Sequence, residues 1–348
     1  MPNAAATSFA SSLPLVTVIV PCRNEERYIE RCLDSIAATI YPIDRLEVLI
    51  ADGRSDDRTR EIIAVYTERH PWIHLVDNPG RIVSSGLNAG IRRARGELIV
   101  RMDAHAVYPP EYLVQLVAAM QETGADNVGG RLVTMPVDSS LTARAIAKAV
   151  SHPLGVGNAH FRIGTSRRRW VDTVPFGCYR RELFNRVGFF DEELVRNQDD
   201  EFNFRLARRG GRVLLDPAIV VVYYARATLR QLARMYYQYG YFKPLVVRKV
   251  GRVMTVRQLV PPALFASLTT TGAAAVIEPA AAMLFGAVLV TYATTLIGGG
   301  IRAGEGEGAR FTLLLLAAFA TLHASYGFGF LRGVWDLLVR RRHAITGH

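Results

Sequence analysis

The sequence changes character at Val250. Beyond it lie three apolar stretches, Leu259–Ile277, Ala280–Ile301 and Phe311–Leu331, of 19, 22 and 21 residues. Each is long enough to span a hydrocarbon core of about 30 Å as a helix. None is amphipathic, so a soluble core would have to wrap every side of all three, whereas a bilayer does so without further protein. The breaks between them are short and polar: Glu278-Pro279 and the Gly- and Glu-rich 302–310. The expectation is an α-helical membrane region over 258–338, with the chemistry upstream of it.

Charge placement supports that division. A net charge of +11 fits nucleic acid, an anionic membrane surface or a phosphorylated substrate equally well. Arg230, Arg234, Lys243, Arg248, Lys249, Arg252 and Arg257 lead directly into the apolar tail, the pattern of a juxtamembrane segment on anionic lipid. Residues 228–257 therefore read as an interfacial amphipathic region. Aromatic side chains interleaved for base stacking are missing, which argues against nucleic acid as a partner. Three full crossings would leave Arg340, Arg341 and Arg342 on the side opposite this basic cluster, against the positive-inside tendency. One stretch is thus expected to be re-entrant or interfacial. The candidates are the first, which carries Pro261 and Pro262, and the last, with His323 and a Gly-rich end.

Residues 1–13 lack the basic start and apolar run of a signal peptide and read as a disordered leader, while 339–348 form a basic tail. Cys22, Cys32 and Cys178 are scattered and odd in number. They point to a reducing compartment and away from a zinc site.

From Leu15 to about Tyr224 short apolar runs alternate with helical periodicity. Strands are expected at Val16–Val20, Glu47–Ala51, Trp72–Val76 and Leu98–Met102. Helices are expected at Glu25–Thr39, with Ile29, Cys32, Leu33 and Ile36 on one face, at Arg58–Arg69, at Val83–Ala94 and from about Pro110. This is the pattern of an α/β domain over 14–227 with a Rossmann-like, mostly parallel sheet.

In such sheets ligands bind past the carboxyl ends of the strands. That singles out Pro21-Cys22-Arg23-Asn24-Glu25, Asp52-Gly53-Arg54-Ser55-Asp56-Asp57 and Arg101-Met102-Asp103-Ala104-His105. The second, alone, reads equally as a turn with a helix cap. In the third, Asp103 and His105 stand two apart and in an extended chain face the same side, where they would share a divalent cation. The carboxylate suits Mg²⁺, and the imidazole shifts the preference towards Mn²⁺. A fourth segment, Asn197–Leu206, opens a helix with Asp199, Asp200 and Glu201. Acids there complement the helix dipole, and one of them beside an acceptor hydroxyl would serve as general base.

These four segments, in this order, resemble the family 2 inverting glycosyltransferases with the GT-A fold, and among them the ExoA-type glucosyltransferases of succinoglycan biosynthesis. The likeness runs from about Val16 to Gly240. It implies a nucleotide-sugar donor, a divalent cation (Mn²⁺ or Mg²⁺) and a role for each matching position. Pro21 and Glu25, with Arg23 between them, would touch the nucleoside, Asp52 would read the uracil, and Asp57 lies further along that loop. Arg81 and Asn88 would face the diphosphate. Asp103 and His105 occupy the D-x-D metal motif, Asp199 is the base of the E-D motif, and Arg205 is the arginine of the helix that follows. Two positions depart from the pattern: His105 replaces the second acid, and Gln198 the Glu before the base. No Q-x-x-R-W segment is present, and Tyr236–Gly240 in its place reads also as an interfacial aromatic belt.

Gly177, Arg180, Asp200, Arg205, Arg168 and Gln238 complete the candidates, on the acceptor side or in a lid. The stretch Arg162–Trp170 reads either as a lid closing over a phosphorylated ligand or as a solvated basic loop. The functional expectation is transfer of glucose from UDP-glucose to a hydroxyl of a polyprenyl-diphosphate-linked saccharide, in exopolysaccharide or cell-envelope biosynthesis. The protein would be multi-pass in the cytoplasmic membrane, its catalytic domain facing the cytoplasm. Two alternatives share the fold: transfer to polyprenyl phosphate itself, and a non-catalytic nucleotide-binding membrane component.

Overall fold

The computed structural model describes residues 13–251, 253 and 255–339. The expected leader and basic tail, with Arg340, Arg341 and Arg342, lie outside those residues except for Leu13 and Val339, and so does Arg252. The chain divides into two compact units, one of Met1–Val133 and Gly164–Tyr223, the other of Thr134–Ile163 and Tyr224–His348.

The strands are β1 (Val16–Cys22), β2 (Leu46–Asp52), β3 (Ile73–Asp77), β4 (Leu98–Arg101), β5 (Ala106–Val107), β6 (Asn127–Met135), β7 (Arg169–Trp170), β8 (Cys178–Arg180) and β9 (Val213–Tyr224). The helices begin with α1 (Ile29–Ala37), α2 (Thr59–Arg69), α3 (Val83–Arg93), α4 (Tyr112–Thr123), α5 (Leu141–Ala149), α6 (Pro153–Val156) and α7 (His160–Ile163). They continue with α8 (Glu182–Val187), α9 (Gln198–Arg208), α10 (Leu229–Val250), α11 (Val260–Ala274), α12 (Pro279–Ala303) and α13 (Ala309–Leu338).

In the first unit the sheet order is β3-β2-β1-β4-β8-β6-β9-β5, with β7 also on β9. β1 to β4 pair in parallel. Every residue of β1 and β2 is buried, as for strands covered on both faces, which is why they read as largely apolar runs rather than as alternating ones. The expected apolar face of α1, Ile29, Cys32, Leu33 and Ile36, is buried. Beyond β4 the ladder turns antiparallel, β8 pairing with β4 and β6, and β5 and β7 with β9. The sheet thus joins a parallel part, β3-β2-β1-β4, to an antiparallel extension. Parallel neighbours need a helical crossover, and the strand–helix alternation that provides one ends at β4.

β2 and β3 extend the sheet to one side of β1 and β4 to the other, so the loops after β1 and β4 leave side by side at a topological switch point. At the opposite edge Glu47 is buried. It accepts hydrogen bonds from Thr17 Oγ1 (2.6 Å), Arg95 N (2.9 Å) and Arg95 Nε (2.7 Å). Burial alone would raise its carboxyl, but these donors hold it below the usual range. The three cysteines are free and buried.

In the second unit α10 lies along α13. A Cβ at Gly329 or Gly333 would strike the carbonyls of Tyr237 and Tyr241, and one at Gly240 that of Tyr326. The Gly-rich end of the last apolar stretch is thus a close-packing surface. Beside it Tyr241 Oη donates to Asp336 Oδ2 (2.9 Å), and Arg332 Nε stands 3.2 Å from Asp336 Oδ1. Further along, Ala145, Ile146 and Ala149 of α5 join one core with Phe311, Leu315, Phe319 and Leu322. His323 Nε2 donates to Leu154 O (2.8 Å) while its Nδ1 accepts from Tyr292 Oη (3.1 Å).

The helix within the first apolar stretch is short. α11 has 15 residues, about 22 Å at the usual helical rise, against a hydrocarbon core of about 30 Å. Its two prolines fall in the first turn, and the helix stops before Val276 and Ile277. Among the described residues two helices, α12 and α13, are long and apolar enough to cross a membrane. α12 exposes Met283, Leu284, Leu289, Val290 and Ile297, whereas α13 is partly covered by its neighbours.

Candidate active site

Two of the loops at the switch point are laced to each other. Asn24 N donates to Ser55 Oγ (2.9 Å) and Asn24 Oδ1 accepts from Asp56 N (3.1 Å). Glu25 N donates to Thr59 Oγ1 (2.8 Å), and Glu26 N to Asp57 Oδ2 (3.2 Å). Asp57 also accepts from Thr59 N (3.0 Å), so its carboxylate ties the two loops together. Asp52 is fully buried, held by Ser55 and 3.4 Å from Arg60 Nε. Pro21 is buried on β1, and Arg23 packs its stem on Gly53 with its Nε buried and unpartnered.

The centre of the site is Arg101, the last residue of β4. Its side chain is 7% exposed, and its guanidinium bridges two carboxylates from separate elements. Nη2 donates to Asp103 Oδ1 (2.9 Å) and Nη1 to Asp199 Oδ2 at the start of α9. Arg101 N is bound to Gly177 O (3.0 Å), and Arg101 Cζ lies 5.8 Å from the Phe176 ring centroid. Asp199 Oδ1 is buried without a partner, as is Arg101 Nε. Tyr108 Oη accepts from Asp103 N (2.7 Å).

The segment carrying Asp103 and His105 is not extended. Ala106 N closes a turn onto Asp103 O (3.2 Å), and His105 points its Nδ1 towards Glu25 Oε1 (3.6 Å) with its ring against Tyr223. Burial alone would raise the Asp103 carboxyl, but Arg101 and His105 beside it outweigh burial and hold it below the usual range. At Asp199 burial wins. Despite Arg101, the carboxyl is pushed up, with Asp103 and Asp200 adding like-charge repulsion.

Among the described residues no three of His, Cys, Asp or Glu are grouped so as to hold an ion by themselves. Arg101 takes Asp103 Oδ1 and leaves Oδ2, while His105 Nδ1 is turned towards Glu25. Mg²⁺ and similar cations take one or two protein ligands and complete their shell from substrate phosphates. One free carboxylate oxygen of Asp103, with the His105 imidazole beside it, would fit a cation that draws its remaining ligands from a substrate.

Other expected positions are engaged elsewhere. Asn88 spends its amide on Phe190 O (2.8 Å), Phe190 N (3.0 Å) and Glu192 Oε1 (2.7 Å). Arg168 is held by Asp216 (2.7 Å) and Glu122 (2.8 Å), which ties the basic loop to the first unit. Arg205 is saturated by Glu201 and the carbonyls of Val187 and Phe189. Arg180 pairs with Leu98, at the opposite end of β4 from Arg101 and Gly177. Asp200 follows Asp199 on α9, and Gln238 is buried on α10 in the second unit. Arg81 is exposed.

Five described non-glycine residues have positive φ: Asn24 (56°), Arg54 (57°), Arg81 (60°), Phe176 (51°) and Asn197 (64°). Each lies in a loop that brings a candidate residue to this edge, and such strain persists where the surrounding structure over-determines it. Arg101 was the residue to find. The alternation that pairs Asp103 with His105 reaches Arg101 when carried one step back, and a charged residue ending the buried strand Leu98–Arg101 is itself a signal.

The family model for Glycosyl transferase family 2 matches residues 17–189. The succinoglycan biosynthesis protein ExoA of Rhizobium meliloti (strain 1021) is 31% identical over 94% of this chain and 96% of its own. A dolichyl N-acetyl-alpha-D-glucosaminyl phosphate 3-beta-D-2,3-diacetamido-2,3-dideoxy-beta-D-glucuronosyltransferase of Methanococcus voltae is 28% identical over 67% of this chain and 74% of its own. Among solved structures, the mannosyltransferase PcManGT from Pyrobaculum calidifontis, in complex with GDP-Man and Mn²⁺, has a TM-score of 0.62 at 24% identity, over 94% of this chain and 89% of that one. The likeness to it is one of fold. The chain belongs to glycosyl transferase family 2 and is a sugar-transferring enzyme with the GT-A fold.

Proposed function

We propose that the enzyme transfers glucose from UDP-glucose to a hydroxyl of a polyprenyl-diphosphate-linked saccharide, in exopolysaccharide or cell-envelope assembly. The observation that carries this reading is the state of Asp199. One oxygen is anchored by Arg101, the other is buried and unpartnered, and the same guanidinium holds Asp103. A carboxylate fixed by one oxygen and unpartnered at the other has a lone pair to offer the proton of an acceptor hydroxyl, and its raised proton affinity suits that task. A phosphate acceptor would need no such base, which favours a hydroxyl over polyprenyl phosphate. A single displacement assisted in this way inverts the anomeric centre.

Pro21, Arg23, Glu25 and Asp52 line the nucleoside side in this reading. Asp103 and His105 would hold Mn²⁺ or Mg²⁺ with the diphosphate, and the cation would offset the charge of the leaving group. The lipid-linked acceptor is supported by the exposed apolar helix α12 beside α13 and by a relative named for a dolichyl phosphate-linked sugar. In this reading the basic residues before 259 lie on the cytoplasmic face with the catalytic domain, as the positive-inside tendency favours. The test is UDP release by the purified protein with lipid-linked saccharides and Mn²⁺ or Mg²⁺. Turnover that survives Asp199→Asn sinks the base assignment.

A further inference from the structure

Resting on that reading of Asp103 and Asp199, we propose that Arg101 is a positioning residue that locks the base to the cation-binding carboxylate, and that it competes with the cation for Asp103. Its Cα is fixed by the bond from its N to Gly177 O, and its guanidinium is boxed by Phe176 and by two acids from separate elements. The fork is spent on those acids alone, leaving Nε buried and unpartnered. An arginine present for stability has no reason to stop there: Arg205, by contrast, meets four acceptor atoms. Only a planar two-nitrogen group spans both carboxylates, so a lysine cannot replace it.

Two consequences have opposite signs. Without Arg101, Asp199 loses its anchor and turnover falls. Without Arg101, Asp103 also regains Oδ1 and sheds an adjacent positive charge, so the free enzyme binds a cation more tightly. A residue that merely stabilised the fold would weaken both together.

The experiment uses the full-length protein in detergent, with Mn²⁺ binding measured calorimetrically without nucleotide, kcat and donor KM from UDP release, and a melting curve for each variant. Arg101→Gln is expected to lower kcat about 100-fold, the scale of a reacting group misplaced by roughly 1 Å. Donor KM stays within about threefold, and Mn²⁺ binding tightens about tenfold as the repulsion is removed. In an Asp199→Asn background the same change costs no further kcat. Unchanged kcat, or weaker Mn²⁺ binding, overturns the proposal. Should Arg101→Gln fail to fold, Arg101→Lys decides: lost turnover at an unchanged melting temperature supports it, and full turnover overturns it. Mn²⁺ binding that ignores Asp103→Asn, or turnover that ignores Asp199→Asn, overturns the underlying reading instead.

Discussion

Asp199 and Glu201 stand two residues apart on α9, and each is met by an arginine. Around Glu201 the pairing is closed. Arg205 grips both carboxylate oxygens (2.5 and 2.8 Å) and spends its other donors on Val187 O and Phe189 O, both 2.7 Å. Around Asp199 it is open, with one carboxylate oxygen and one guanidinium nitrogen left buried and unpartnered. A buried polar atom without a partner is costly, so a closed group points to architecture and an open one to a ligand. The same pairing of an acid with an arginine, two residues apart on one helix, is thus closed at one position and open at the other.

Four substitutions would break or sharpen that contrast. Asp199→Asn should lower kcat by about 10³-fold, within the range of general-base catalysis, while the melting temperature holds or rises, because a buried carboxyl is removed. Asp103→Asn should cost about 100-fold in turnover and raise the Mn²⁺ concentration needed for half-activity. Arg205→Met should leave turnover per folded molecule intact but remove about 3 kcal/mol of stability in denaturant unfolding, since it strands a buried Glu201. If Arg205→Met instead lowers kcat in a fully folded sample, the closed group is catalytic and the contrast fails.

The smallest effect concerns Glu47, another closed carboxylate. Its folded pKa lies below its unfolded one, so its contribution to stability is complete above the ordinary glutamate range and is lost as pH falls through the lower folded value. Arg95 is largely exposed, so the contribution is about 1 kcal/mol. Glu47→Gln should flatten the acid side of the stability profile and leave turnover unchanged at neutral pH.

β1 and β2 are legible because strands buried on both faces carry largely apolar runs, interrupted here by Thr17 and Glu47, and α1 because Ile29, Cys32, Leu33 and Ile36 keep one face. The site's location followed from strand ends at a switch point, a rule of topology rather than of residue type. What stayed hidden depends on partners distant in sequence. Nothing local shows that the Asn88 amide is consumed by Phe190, or that Arg168 is held by Asp216 and Glu122. In the antiparallel part of the sheet β5 and β7 have two residues each and β8 three, too few for a period, while the longer β6 and β9 are interrupted by Gly129-Gly130 and by Pro217.

The segment Thr134–Ile163, from the last two residues of β6 to α7, belongs to the helical unit. There α5 shares its apolar core with Phe311, Leu315, Phe319 and Leu322. A soluble catalytic fragment made by stopping the gene after Ala227 would therefore keep α5 and discard its cover, presenting Ala145, Ile146 and Ala149 to water as an adhesive patch. Recombinant production of the sugar-transferring half calls for two excisions rather than one: the tail, and this inserted loop replaced by a short polar bridge.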